Sequence, residues 1–383
     1  MSSWSKLPKA ARRYILYHCM ITPTLFWWYV VPFLMLNKGL SVEETGLFYT
    51  VGMLASSAIN FIVGKLLDKN PPNVVMAAIS ILDFISYSLY FVAFTSHQLL
   101  LILAAIAVEY LSYGLYPAYP AYEYEVYSEE MRSKAYIYHY VLPYLTQALT
   151  YPAIGYILSL TEEKLEFSIL AVALASLFYA CIPLTWLPRV EQKVELRKEE
   201  RKVRGIPRDL IPLALILVLL STAYSIAPTF VLVNLFIKKF GGGLLQIGIY
   251  ESIVGFTMSF FMLPLLKVNK KWGKKLAILG IALISIAFAI LGFSTNILHV
   301  FISAFILSVG ESIMTPFYLD ALFSRIPEEM KGSILGALAG IRKIVNIGTP
   351  LAAGLLAGIS PSLPYVASSL TVVAVAILFA LYG

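Results

Sequence analysis

The sequence predicts an all-α integral membrane protein, with twelve transmembrane helices arranged as two six-helix bundles. Three observations predict it. First, the 383 residues are 59% apolar and only 13% charged, about half the charge of a soluble domain, and the mean hydropathy is +0.78. Second, the charges gather in short joints between long uncharged runs, as in polytopic helical proteins. Third, the second half of the chain repeats features of the first. The net charge of +7 therefore belongs to membrane-facing loops, and nucleic acid is not an expected partner.

Each apolar run has roughly the 20 residues of a spanning helix, and helices are what lipid-facing runs of this kind can form. The first, near 14–36, follows Lys6, Lys9, Arg12 and Arg13. It is too long for a signal core and lacks a small-residue cleavage site, so it is expected to stay as the first span. The next five fall near 45–67, 74–95, 99–121, 135–160 and 167–187. One long basic joint, "PRVEQKVELRKEERKVRGIPRD" (188–209), then divides the chain. Six more runs follow near 210–237, 244–266, 276–294, 297–322, 333–358 and 363–382. The expected organisation is a bundle over 1–188, a linker over 189–209 and a bundle over 210–383. Cys19 and Cys181 lie inside apolar runs and support neither a disulfide framework nor a metal site.

Placed on alternate sides, 23 Lys and Arg fall with the termini and the long joint. Only Lys38, Lys164, Lys238 and Lys239 fall opposite, so both termini are expected in the cytoplasm of a cell with the chain in its plasma membrane. Arg342 and Lys343 fall on neither side, because they sit within the eleventh run.

"YPAYPAYEYEVYSEEMRSKA" (116–135) lies over "TPFYLDALFSRIPEEMKGSI" (315–334) at an offset of 199, pairing Pro117 with Pro316. "SVEETGLFYT" (41–50) lies over "GLLQIGIYES" (243–252), pairing Gly46 with Gly248. Both halves start on the same side, so the repeat is parallel, as in two-bundle transporters.

Over its length the chain resembles the major facilitator superfamily. That family's loop between spans 2 and 3 reads Gly, three residues, Asp, basic, one residue, Gly and two basic residues. "GKLLDKNPPN" matches it at Gly64, Asp68 and Lys69, while Pro71, Pro72 and Asn73 depart from it. "LKVNKKWGKK" matches at Lys271, Gly273, Lys274 and Lys275, and departs at Leu266 and Lys270. "PEEMKGSILGALAGIRKIVNIGTPLAAGLLAGI" resembles the family's entry into span 11. The resemblance implies a gating role for Asp68 and its loop; plain topology is the other reading of the lysines.

Residues three and four apart share a helix face. Ser308, Glu311, Thr315 and Tyr318 form such a face in span 10, and Glu109, Ser112, Tyr116 and Tyr119 hold the repeat-related positions in span 4. Gln147 and Asn346 correspond in spans 5 and 11, and Arg342 lies one turn from Asn346. Polar stripes related by the repeat are expected to line one wet cavity rather than to face lipid. Glu311 and Arg342 lie roughly 16 Å and 14 Å from the same membrane face, so an ion pair between them is an expectation, static or exchanging. Glu251 in span 8 is a further proton or substrate group, and Asp83 reads as a satisfied polar residue. His18 and His139 read as interfacial or hydrogen-bonded. Trp27, Trp28 and Tyr29 read first as an interfacial belt, with an aromatic substrate wall as the rival. Glu123 and Glu125 could attract cations at an inner mouth.

No phosphate-binding Gly-rich loop is present, so an ion gradient is the expected energy source. The favoured expectation is a monomeric, proton-coupled efflux carrier for a small cationic or amphipathic compound, without cofactor or metal. Another ion could replace protons, and lipid is the only other partner. Arg342 with Lys343 supports an organic anion instead. A membrane-embedded lipid-modifying enzyme is the alternative of a different class, and a passive channel or receptor would keep the fold without concentrative uptake.

Overall fold

Because a backbone in lipid must bond to itself, the apolar runs become helices and proline decides where they break. The computed structural model describes residues 4–128, 130–190, 211–265, 272–323 and 331–382. Helix α1 (Lys9–Ile21) runs through a 3-10 turn at Thr22–Phe26, with Pro23 inside it, into α2 (Trp27–Asn37). Helix α3 (Val42–Lys69) starts with a capping box. The Ser41 hydroxyl accepts the Glu44 amide at 3.1 Å, and the Glu44 carboxylate accepts the Ser41 amide at 2.7 Å. α4 (Pro72–Ser96) follows. Span 4 is split by Pro117 into α5 (Leu99–Gly114) and α6 (Ala118–Val126). α7 (Arg132–Ser159) and α8 (Leu165–Thr185) complete the first half.

The second half opens with α9 (Ile211–Ile226), then breaks at Pro228 before α10 (Thr229–Phe240). Gly241 ends α10 at φ +59°, a left-handed conformation that suits glycine. α11 (Leu244–Leu265), α12 (Gly273–Gly292) and α13 (Ile297–Phe323) follow. The eleventh run is α14 (Lys331–Asn346) and α15 (Thr349–Ile359), parted before Pro350, and α16 (Leu363–Tyr382) closes the chain. Each of the twelve predicted runs is thus a helix or a broken pair. Among the described residues nine helices are long and apolar enough to cross a membrane, or ten if the bent α3 is one span. The remaining two runs are α7 and the α14–α15 pair.

In the first half α4 packs on α5 and α8, and α3 on α5; in the second α12 packs on α13 and α16, α11 on α13, and α9 on α16. The most extensive contacts between the halves run α7 along α11 and α3 along α15, with α10 also resting on α2 and α3. Between helices in lipid the attraction is close packing, so small residues are needed where backbones meet. A Cβ at Gly248 of α11 would stand 2.5 Å from the Tyr151 carbonyl oxygen of α7, and one at Gly354 of α15 would stand 2.7 Å from that of Val42. Both contacts lie at the end where α3 begins. Toward the other end neither Gly64 of α3 nor Gly340 of α14 has a neighbour within 4 Å of a built Cβ. By contrast, α7 and α11 stay together through Gly255, where a Cβ would stand 2.5 Å from the Tyr144 carbonyl oxygen, to the Ser259–Val141 hydrogen bond at 3.2 Å. Near that end, a buried tyrosine cluster of Tyr14, Tyr17, Tyr122 and Tyr127 binds α1 to α6 and its following turn.

Candidate functional site

Two cavities occupy the seam between the halves. The first, of about 300 Å³, is walled by Trp28, Tyr49, Tyr110, Tyr113, Tyr116 and Glu109 of the first half, with Phe230 and Pro350 among those of the second. The Pro228 break turns α10 inward there, and Phe230 stacks on Tyr49 with ring centroids 5.3 Å apart. The buried Glu109 carboxylate accepts the Tyr90 hydroxyl at 2.7 Å and the Tyr113 hydroxyl at 2.5 Å. Ser112 donates to Asp83 at 2.7 Å and lies as close to the Glu109 carbonyl oxygen, so Asp83 is tied to the same cluster. Among the described residues no basic side chain lines this cavity.

The second cavity, of about 310 Å³, is lined by His18, His139, Tyr140, Gln147 and Glu251 among others. Trp28 lines both cavities. Glu251 accepts the Tyr29 hydroxyl and, at 2.7 Å, the Gln147 amide, which also reaches the Glu251 carbonyl oxygen at 3.1 Å. Gln147 of α7 and Glu251 of α11 are therefore joined across the seam.

The remaining predicted residues divide. Tyr116 reaches the first cavity, but Ser308 bonds back to the Ala304 carbonyl at 2.8 Å within its own helix. Half-buried Glu311 lies within electrostatic reach of Tyr224, Tyr144 and Glu251. Thr315 is half-buried, and Tyr318 packs on Phe379 with centroids 5.9 Å apart. None of these four lines either cavity, so the span-10 stripe does not mirror span 4. The physical reason lies in the breaks. Span 4 breaks at Pro117, whereas α13 runs unbroken through Pro316.

Arg342 and Glu311 do not form an ion pair. Arg342 is exposed near Tyr318, with half-buried Lys343 beside it. Asn346 is instead fastened to α9, accepting from Thr222 at 3.0 Å and donating to Ser221 at 2.6 Å. At the end of α3, Gly64, Asp68 and Lys69 are exposed, and among the described residues Asp68 makes no ion pair. Gly273 sits against Phe317, where a Cβ would stand at 3.3 Å, and Lys274 is exposed. Lys271 lies outside the described residues.

The belt reading of span 1 is also corrected. Trp28 lines both cavities, Tyr29 bonds Glu251, and buried Trp27 donates to Ser168 at 3.3 Å. The 3-10 turn at Pro23 rotates this segment toward the seam. Tyr110, Tyr113 and Tyr116, spaced by three, were the legible sign of the aromatic wall, whereas Tyr49 and Phe230 gave none. Nor did sequence spacing reveal that α1, α6 and α7 bring His18, Glu123 and His139 together, with their ligand atoms within 4.8 Å of one another.

A family model described as Major Facilitator Superfamily matches residues 15–350. No curated protein matches the chain. Among solved structures it is similar to the nucleoside transporter NupG, at 12% identity, covering 98% of this chain and 99% of that one, with a TM-score of 0.72. A D-xylose–proton symporter follows at 14% identity, 95% and 96% coverage and a TM-score of 0.69. A bacterial homologue of the iron transporter ferroportin has 16% identity, 98% coverage of both chains and a TM-score of 0.70. At these identities the likeness is one of fold.

Proposed function

The chain belongs to the major facilitator superfamily, and from that membership we propose that it exports an amphipathic cation in exchange for protons. It is a multi-pass membrane transporter and not an enzyme; substrate, direction and coupling are the proposal. One observation carries it: a buried carboxylate, Glu109, in a cavity of about 300 Å³ walled by Trp, Tyr and Phe, with no basic side chain among its described lining residues. Aromatic faces attract a cation while accommodating its apolar body, and desolvation strengthens the attraction. Glu109 supplies the counter-charge, with Tyr90 and Tyr113 holding it in place. Arg342 and Lys343 stand off both cavities, which weighs against an anion as substrate.

Glu251 is assigned the coupling proton. It lies in the other cavity and bonds across the seam through Gln147 and to α2 through Tyr29, so its charge state bears on how the halves meet. The seam closed at Gly248 and Gly354, with open space beside Gly64 and Gly340, fits a conformation open on one side. With the charge asymmetry of the loops, that side is assigned to the cytoplasm, together with both termini. The two bundles, 1–188 and 210–383, then rock about the closed end. Asp68, Lys69, Lys271 and Lys274 are assigned to closing the open end in the alternate state. The carrier is taken to act as a monomer in the plasma membrane.

The test is counterflow in vesicles loaded with permanently charged aromatic cations or with organic acids. The proposal expects exchange of the cations. Exchange of organic acids alone would overturn it and return Arg342 to the substrate site.

A further inference from the structure

We infer that His18, Glu123 and His139 form a binding site for a divalent transition-metal ion of the zinc type. The transport reading uses none of the three. His18 comes from α1, Glu123 from the short α6 produced by the Pro117 break, and His139 from α7. One ring nitrogen from each histidine and one carboxylate oxygen all lie within 4.8 Å of one another. His139 Nδ1 stands 3.4 Å from Glu123 Oε1. That is long for a hydrogen bond, but it matches two ligands of one tetrahedral ion, since bonds of about 2.0–2.1 Å put neighbouring ligands about 3.4 Å apart.

A second observation points to a missing ligand. The His18 Nε2 atom is buried and has no hydrogen-bond partner, a costly state for a polar atom. Its ring centroid lies 4.4 Å from that of His139, so the two imidazoles crowd the same point. The Tyr14 hydroxyl donates to Glu123 Oε1 at 2.8 Å, orienting the carboxylate as outer-shell partners do around metals. Two imidazoles and one carboxylate suit zinc and its neighbours better than magnesium or calcium, which favour all-oxygen shells. Both histidines line the second cavity, whose volume of about 310 Å³ leaves room for a water at a fourth position. All three ligands belong to the first half, so the ion would travel with that half rather than bridge the two.

The test is calorimetric titration of the purified full chain, stripped with chelator, against zinc chloride and magnesium chloride. One zinc ion per chain and no magnesium uptake is expected. His18→Ala, Glu123→Gln and His139→Ala are each expected to weaken zinc binding at least tenfold. X-ray absorption at the zinc edge on the unaltered chain guards against variants that misfold, and a shell of nitrogen and oxygen with imidazole scattering supports the site. Absence of zinc binding by the unaltered chain, a shell without imidazole, or equal binding by a folded variant lacking all three side chains overturns it.

Discussion

Replacing Glu109 with Gln removes the charge that the described residues bring to the aromatic cavity while leaving its shape. The glutamine oxygen can still accept one tyrosine hydroxyl. The other tyrosine can turn to accept from the new amide, so the bonds now at 2.7 Å and 2.5 Å have successors. What is lost is attraction for a cation. A sphere of about 300 Å³ has a radius of about 4 Å, so a centred cation lies roughly 5 Å from the carboxylate. At an effective dielectric constant of about 20 the lost attraction is about 3 kcal/mol, or two orders of magnitude in Kd. The assay is equilibrium binding of a permanently charged aromatic cation to purified protein, beside a neutral molecule of the same shape. The account expects about a hundredfold loss for the cation and less than a threefold change for the neutral molecule. Equal losses for both, or a cation Kd within threefold of the original, would refute the electrostatic reasoning.

Glu251→Gln is expected to retain cation exchange at equal pH but to lose the acceleration by an imposed pH gradient, measured as flux into vesicles. Gradient-driven flux at the original rate would remove Glu251 from coupling. Gly248→Val places side-chain carbon against the Tyr151 carbonyl of α7; overpacking of this kind costs about 1–3 kcal/mol. A drop of several degrees in Tm is expected in detergent, and an unchanged Tm would deny that the closed end is tightly packed. Arg342→Ala should shift Tm little, since no carboxylate among the described residues loses a partner. Breaking a buried ion pair would instead cost about 3–5 kcal/mol, so a large fall in Tm would reinstate the pair with an acid.

The helices were legible because lipid imposes one solution on every long apolar run, and the prolines that break them stand in the sequence. The site was legible only in pieces. Glu109, Tyr116, Gln147 and Glu251 were found as polar positions in apolar helices, which is the signal that intramembrane cost makes reliable. The span-10 stripe misled because the repeat conserves helix order but not the breaks: Pro117 interrupts a span, while Pro316 leaves α13 continuous. Depth arithmetic likewise put Glu311 and Arg342 at one level but held no information about azimuth, and the two face different neighbours. The aromatic wall needs α3, α5 and α10 together, and the two histidines with Glu123 need α1, α6 and α7. Contacts that join separate helices, such as Tyr49 with Phe230 or His18 with His139, leave no local trace.

The central claim is that a cation sits between the halves against Glu109. Anomalous diffraction from crystals grown with a brominated aromatic cation tests it most directly. The account predicts a bromine peak within the cavity bounded by Trp28, Tyr113 and Phe230. A peak confined to the cavity beside Glu251, or to the outer surface of the helices, would contradict it.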